Sequence, residues 1–329
     1  MKLVLTTDRL VGEVLANPIY TEYGVMFLNK GNKLTRSAIS KLKKMGIITV
    51  YIEDGNDEIS LQEILPTPIK LDVIARLAEI FEEVKKKEQV NHNKVSEIVT
   101  DIMDNISLSE NATMISNLAP KDETVKLILH SLDVTLLSLM VGVSKRYDER
   151  KLLNLGVAAI LHDIGKLFVE GQNHVRKGKE ILKRNPSIPV TTYMAVFYMY
   201  EREDKSGLFG ATGDNVHEYA KILGICNDYI KDIKGENPML PHVAIEKITT
   251  DAVNKYDKEI YKYFLQSVYC YPNGLQVKLN NGQEGVVVMQ NKGSTARPIL
   301  AVKSEKGYEF CNLVQPDNLT LFIEEVIME

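Results

Sequence analysis

Residues 158–167 read AAILHDIGKL, and this stretch restricts the possible folds more than any other part of the chain. The apolar run Ala158–Leu161 belongs in a core, yet it delivers His162 and Asp163 side by side, followed at once by Gly165 and Lys166. Burying an imidazole beside a carboxylate is costly unless something pairs with both. Other elements must therefore bring polar groups to the same point. Adjacent residues on a helix point about a hundred degrees apart, so the two side chains meet one partner most easily near a helix end, where Gly165 loosens the chain. Lys166 follows Asp163 by three and His162 by four, the spacing that returns an ammonium to the same helical face. A cation there is repelled by a metal alone; it makes sense beside a metal accompanied by an anionic group such as a phosphate.

The surroundings of this stretch are strongly helical. From about Val125 to Ser267 the apolar spacing predicts helices over Val125–Arg146, Arg150–Ile164, His174–Lys183, Val190–Glu203, Val216–Lys231 and Pro241–Ile248, with another near Lys258–Gln266. The flanks differ. Residues 1–55 alternate short strand-like runs with turns, then "TRSAISKLKKMGIITVYIED" reads as a capped helix ending near Gly46, followed by a strand over Ile47–Ile52. This small α+β module contains no histidine or cysteine and so no catalytic cluster. Residues 56–68 read as a turn-rich connection with Pro66 and Pro68. From Lys70 to about Lys87, Leu71, Ile74, Leu77 and Phe81 share a helical face suited to a connector or a dimer contact, and the Lys85–Lys87 run reads as solvated. After Gly274, "LQVKLNNGQEGVVVMQ" alternates around Asn281-Gly282, a strong hairpin signal, and further short strands complete what reads as a small barrel. The expected division is therefore 1–60 as the α+β module, 61–121 as linker and connecting helices, 122–267 as the helical domain and 268–329 as the β-barrel.

Candidate partners for His162 and Asp163 lie on neighbouring predicted helices. His130, in VKLILHSLDVTLLSLM, sits on or beside a buried stripe; His174 opens the helix HVRKGKEIL; Asn227 and Asp228 lie inside the apolar ILGICNDYIKDI. Taken singly, His130 would be a hydrogen-bonded core histidine, His174 an exposed helix-start residue, and Asn227 or Asp228 a polar helix-surface group. Together, with His-Asp-x-Gly-Lys between them, they favour a metal site. His92, His217 and His242 have no such company and read as surface residues.

These motifs resemble the HD superfamily of metal-dependent phosphohydrolases. LHDIGK followed by HVRKGKEIL, then YEREDKSG and AKILGICNDY, resembles in particular the HD-GYP branch, whose active members hydrolyse cyclic di-GMP. The likeness spans about residues 122–250, and both flanks are similar to those of multi-domain members. The resemblance implies a mainly α protein: a central HD-type helical bundle, with the small N-terminal α+β module and the C-terminal small β-barrel on either side. It implies His130, His162, Asp163 and His174 as metal ligands, with Asn227 or Asp228 as the last one. Asp163 and Lys166 would be the catalytic pair, with Lys166 contacting phosphate and Arg202 assisting it on the substrate.

The chain also departs from the family pattern. The paired histidines of HHExxDGSGYP fall on Met199 and Tyr200, while Glu201 and Asp204 survive. The GYP triplet falls on Gly207, Leu208 and Phe209, and the interval from Asp163 to His174 is shorter than in active relatives. A thioether and a phenol are poor ligands for a hard divalent ion, so one metal (iron, manganese or similar) is favoured over two, with none as the limiting case. Two functions follow as expectations. One is a phosphohydrolase with degraded motifs that acts on or binds cyclic di-GMP or a related nucleotide; a nucleoside-phosphate hydrolase of the wider superfamily would need only the one-metal site. The other is an inactive sensor or scaffold that binds a cyclic dinucleotide or a protein partner.

Composition narrows the partners. A formal charge of −4, from 40 basic and 44 acidic residues, gives no electrostatic footprint for duplex nucleic acid. Three scattered cysteines outside any CxxC pattern argue against a disulfide framework and for a reducing cytoplasm. No uninterrupted apolar run reaches the ~20 residues of a membrane span, and nothing resembles a signal peptide, so no membrane partner is expected. A homodimer is a further expectation, the 70–87 helix serving as its contact or as a connector.

Overall fold

The computed structural model describes residues 1–21, 25–54, 62–107, 112–113, 118–119, 122–235, 237–304 and 307–328; the turn-rich connection over 56–68 lies partly outside them. By contact the chain forms two compact units, one of Met1–Ile64, Ser107–Lys121 and Tyr269–Glu329, the other of Leu65–Ile106 and Asp122–Val268.

In the first unit, β1 (Lys2–Leu5) pairs antiparallel with β4 (Thr49–Ile52), while β2 (Ile19–Thr21) lies between β3 (Met26–Leu28) and β7 (Leu118–Ala119). Helix α1 (Arg36–Lys44) starts where expected because the Thr35 hydroxyl accepts the Ala38 amide at 3.2 Å. A short pair, β5 (Gln62–Glu63) with β6 (Ala112–Thr113), is parallel. The C-terminal part is a five-stranded antiparallel sheet in the order β11 (Gly307–Asn312), β10 (Ile299–Ser304), β9 (Glu284–Met289), β8 (Gln276–Leu279), β12 (Ile323–Ile327). Its β8–β9 turn is the Asn281-Gly282 hairpin, with Gly282 at φ +84 as such a turn requires.

Among the described residues no pairing joins the edge strands β11 and β12, so the expected barrel is seen as an open sheet. The physical reason lies in how its inner face is covered. Val277, Leu279, Val287, Leu300 and Val302 share one core with Leu3, Ala16 and Tyr51 of the N-terminal segment. Leu3 N donates to Gly274 O at 2.8 Å and the Tyr51 hydroxyl to Asn273 O at 3.0 Å. The apolar face is thus shielded without closing the sheet on itself.

The second unit is all helical: α2 (Thr67–Lys87), α3 (His92–Asn105), α4 (Glu123–Ser144), α5 (Glu149–Ile160), α6 (His174–Lys183), α7 (Val190–Tyr198), α8 (Glu218–Lys234), α9 (Pro241–Asp251) and α10 (Lys258–Leu265). Carboxylates cap the starts of α4 and α5: Asp122 accepts the Val125 amide at 3.0 Å and Asp148 the Lys151 amide at 2.8 Å. The apolar face of α2, through Ile74, Leu77 and Phe81, is buried in this unit, where α2 packs on α3 and α4. That contact satisfies the face read as a connector or dimer surface. Helix α4 is long and apolar enough to cross a membrane by length and composition, although Lys126, His130 and Asp133 interrupt it; most of it is buried against its neighbours. Helix α5 ends at Ile160 instead of running to Ile164, and α7 ends at Tyr198 instead of Glu203. Both early endings shape the site.

Candidate metal centre

After Ile160 the chain turns through His162 and Asp163 into a 3-10 turn over Ile164–Leu167, so the pair sits at a helix end. Gly165 is required there by close approach. A Cβ on it would overlap the His174 carbonyl oxygen and come within 2.8 Å of the Gly178 amide nitrogen. Without one, the turn lies directly on the first turns of α6, and His174 arrives beside Asp163. Helix α4 contributes His130, and the buried face of α8 contributes Asn227.

The side chains converge closely. His162 Nε2 is 3.3 Å from His130 Nε2 and 3.3 Å from Asp163 Oδ2, and His130 Nε2 is 3.6 Å from the same oxygen. One ligand atom from each of these three residues falls within 4.8 Å of the others. Asn227 Oδ1 lies 3.0 Å from His130 Nε2. Around an octahedral ion with bonds of ~2.1 Å, neighbouring ligand atoms stand ~3 Å apart, so these separations suit a shared ion. The other carboxylate oxygen, Asp163 Oδ1, faces His174 Nε2 at 2.9 Å.

Backbone carbonyls orient two of the rings. His162 Nδ1–H donates to Ala159 O at 2.7 Å, and His174 Nδ1–H to Gly171 O at 2.7 Å. In both, Nε2 is the nitrogen left facing Asp163, the second-shell arrangement that metal-binding imidazoles use. His174 Nε2 and Asp163 Oδ1 approach without hydrogen-bond alignment, and both are buried without another partner. Two such atoms held this close call for a cation or a proton between them. Burial, with His162 beside it, lowers the His130 pKa to about 3 and keeps that imidazole neutral and available as a ligand. Burial works to raise the Asp163 carboxyl, but His162, His174 and the Lys166 ammonium outweigh it and hold the group well below the usual carboxylate range. An ionised carboxylate among imidazoles fits the donor set of iron, manganese or zinc.

His162, Asp163, His174 and Asn227 are fully buried, whereas the side chains of His130 and Lys166 keep 20% and 31% of their surface exposed. The site therefore opens to solvent on the His130–Lys166 side. Lys166 Nζ donates to Asp163 Oδ2 at 2.5 Å, the i, i+3 return read from the sequence.

The alternatives at 227 and 228 separate cleanly. Asp228 accepts from Arg202 Nη2 at 2.5 Å and from the Tyr256 hydroxyl at 2.7 Å, so it points away from His130 while Asn227 points toward it. Arg202, expected to assist on the substrate, makes bracing contacts with the protein. Its Nη1 donates to the carbonyls of Met199 at 3.0 Å and Glu201 at 2.8 Å, which the early end of α7 leaves without helical partners. Glu201 accepts the Phe209 and Ala211 amides at 2.8 and 2.5 Å and pins the following loop. Gly207 fits beneath it because a Cβ would reach Glu201 Cα at 2.5 Å and Tyr200 O at 2.7 Å. Asp204 holds Ser206, with its amide at 2.9 Å.

Met199 is fully buried, and the Tyr200 ring stands edge-on to His174 with centroids 5.7 Å apart. Burial and the nearby Asp163 charge raise the Tyr200 pKa, so the phenol stays protonated. Sequence reasoning missed Lys231, whose ammonium lies over the Tyr200 ring at 5.1 Å. Its signal was its position four residues after Asn227, on the same face of α8. Of the histidines read as surface residues, His217 caps α8 by accepting the Tyr219 amide at 3.2 Å.

Residues 127–229, the interval from just before His130 to just after Asn227 and Asp228, match the HD domain family. This part of the chain is an HD domain. It is related to the domains of bacterial cyclic di-GMP phosphodiesterases. A cyclic di-GMP phosphodiesterase of Pseudomonas aeruginosa is 23% identical over 250 residues, covering 69% of this chain and 60% of that protein. Cyclic di-GMP phosphodiesterase PdeB of Borreliella burgdorferi is 23% identical over 181 residues, 49% of this chain and 48% of that one. The chain thus spans about half to three-fifths of the length of these curated relatives. A solved HDG"Y"P protein from Bdellovibrio bacteriovorus matches 80% of this chain and 98% of its own at 14% identity and a TM-score of 0.46, too loose a likeness to argue from.

Proposed function

We propose that the HD domain of this chain is a metal-dependent phosphohydrolase centre that takes cyclic di-GMP or a related nucleotide. In this reading one divalent ion, iron or manganese in class, is held by His130, His162 and Asp163 Oδ2, with Asn227 Oδ1 as a fourth ligand. The observation that carries it is the convergence of two imidazoles and an ionised carboxylate, with Lys166, partly exposed, on the same carboxylate. A divalent ion there would supply Lewis acidity and lower the pKa of a water to about 7. The protein's own groups do the rest: Lys166 draws the phosphate toward Asp163, and the fully buried imidazoles hold the geometry. The three free cysteines suit a reducing cytoplasm.

A second reading, a nucleotide-binding sensor without turnover, is favoured by one feature: the Oδ1 side of Asp163 has His174, beyond which stands the Tyr200 ring. The two readings separate in one experiment. Cyclic di-GMP is titrated into the manganese-loaded and chelated protein, and its turnover is followed on the same samples. Metal-dependent turnover supports the phosphohydrolase; metal-dependent binding without turnover supports the sensor. Neither binding nor turnover would exclude the nucleotide for both.

A further inference from the structure

The helix that carries Asn227 also carries three lysines, Lys221, Lys231 and Lys234, and they are not equivalent. Lys221 is paired with Glu203 at 2.8 Å and Asp257 at 2.9 Å, and Lys234 with Asp133 at 2.7 Å. Among the described residues no carboxylate pairs with Lys231; its contacts are the Tyr200 hydroxyl, at a long 3.4 Å, and the face of the same ring. An ammonium on a helix surface ordinarily finds either a carboxylate or open water. Lys231 is exposed as a residue, yet its ammonium lies over the Tyr200 ring, which stands edge-on to His174, and burial together with the Lys166 ammonium pulls its pKa down. One ammonium thus stands beside Asp163 and another over the Tyr200 ring next to His174, two like charges near one centre that an anion would stabilise.

We infer that Lys231 is a phosphate-binding residue of this site and forms, with Lys166, a two-ammonium clamp on the anionic group of the ligand; this rests on reading the centre as one that handles phosphate. The two lysines come from different elements, Lys166 from the turn after α5 and Lys231 from α8. Asn227 and Lys231, four residues apart, share one face of α8, so the same helix that offers a ligand to the ion offers a cation to the phosphate. Charge balance gives the clamp a purpose. The Oδ1 side of Asp163 is served by one imidazole, His174, beside a protonated phenol, which is too few donors to hold a second ion well. Positive charge for a phosphate on that side has to come from the protein, and the Lys231 ammonium over Tyr200 is placed to supply it.

The test uses inorganic phosphate as the probe, titrated into the manganese-loaded full chain as wild type, Lys231→Ala and Lys231→Arg, with metal content measured on each sample. Loss of one charge-assisted contact should weaken phosphate binding about tenfold in Lys231→Ala. Lys231→Arg should keep most of the affinity, and metal content should be the same in all three. Equal phosphate affinity in wild type and Lys231→Ala, no saturable phosphate binding by the wild type, or loss of metal in Lys231→Ala would each overturn the assignment. Cyclic di-GMP titrated into the same samples keeps the two ideas apart. Lys231-dependent phosphate binding without cyclic di-GMP binding would reject the nucleotide and leave the clamp standing.

Discussion

The two oxygens of the Asp163 carboxylate face differently furnished surroundings. Oδ2 looks onto His130, His162 and Lys166, with Asn227 close behind His130. Among the described residues Oδ1 looks onto His174, and beyond that ring stands Tyr200. The Oδ2 side opens to solvent at His130 and Lys166 while His174 on the Oδ1 side is fully buried, and the two sides differ further in their number of donor atoms. A divalent ion needs several ligands to offset the loss of its water, and only the Oδ2 side gathers that many from the chain. The comparison teaches that the two oxygens of one buried carboxylate can be furnished with different numbers of donor atoms.

The largest effect should come from the well-furnished side. His162→Ala removes a ligand fixed by its own carbonyl hydrogen bond, and metal affinity should fall by more than about 100-fold, since losing even an outer-shell partner costs ~10–100-fold. A metal titration checks this, and unchanged affinity would end the comparison. Gly165→Ala acts on both sides at once by forcing the turn off α6. It should lower stability by about 1–3 kcal/mol in thermal or urea unfolding, and loosen His174 from Asp163. A smaller change sharpens the picture at α8. Asn227→Asp replaces a neutral amide with a charged ligand and should raise metal affinity about tenfold, an added charge-assisted contact. Asp228→Asn should leave metal affinity alone and reduce stability through Arg202 and Tyr256. The reverse pattern would move the ligand to Asp228.

Much of this site was legible in the sequence because its parts are local. The adjacency of His162 and Asp163 and the return of Lys166 follow from helical spacing alone, and the HD motif with its flanks pointed to His130 and His174. The Asn281-Gly282 hairpin was equally plain. Three features were not local. Asn227 and Asp228 could not be told apart until Arg202 and Tyr256 were seen to claim the second of them. The bracing contacts of Arg202 were not legible because nothing in YEREDKSG reveals that α7 stops early and leaves carbonyls for it to satisfy. Lys231 went unread because a lysine on a helix is usually solvated, and only its place over the Tyr200 ring, with no carboxylate paired to it among the described residues, marks it out. Closure of the C-terminal sheet was overestimated for a related reason: strand count and turn signals do not say that Leu3, Ala16 and Tyr51 cover its inner face.

The most direct test of the unequal halves is the metal content of the purified wild-type chain set beside His174→Ala, both loaded with manganese and washed free of excess. One ion per chain in each, held with similar affinity, is the predicted result, because His174 serves the side with too few donors. Two ions in the wild type falling to one in His174→Ala would contradict it and show that the Oδ1 side is a working site; no ion in either would remove the metal centre altogether.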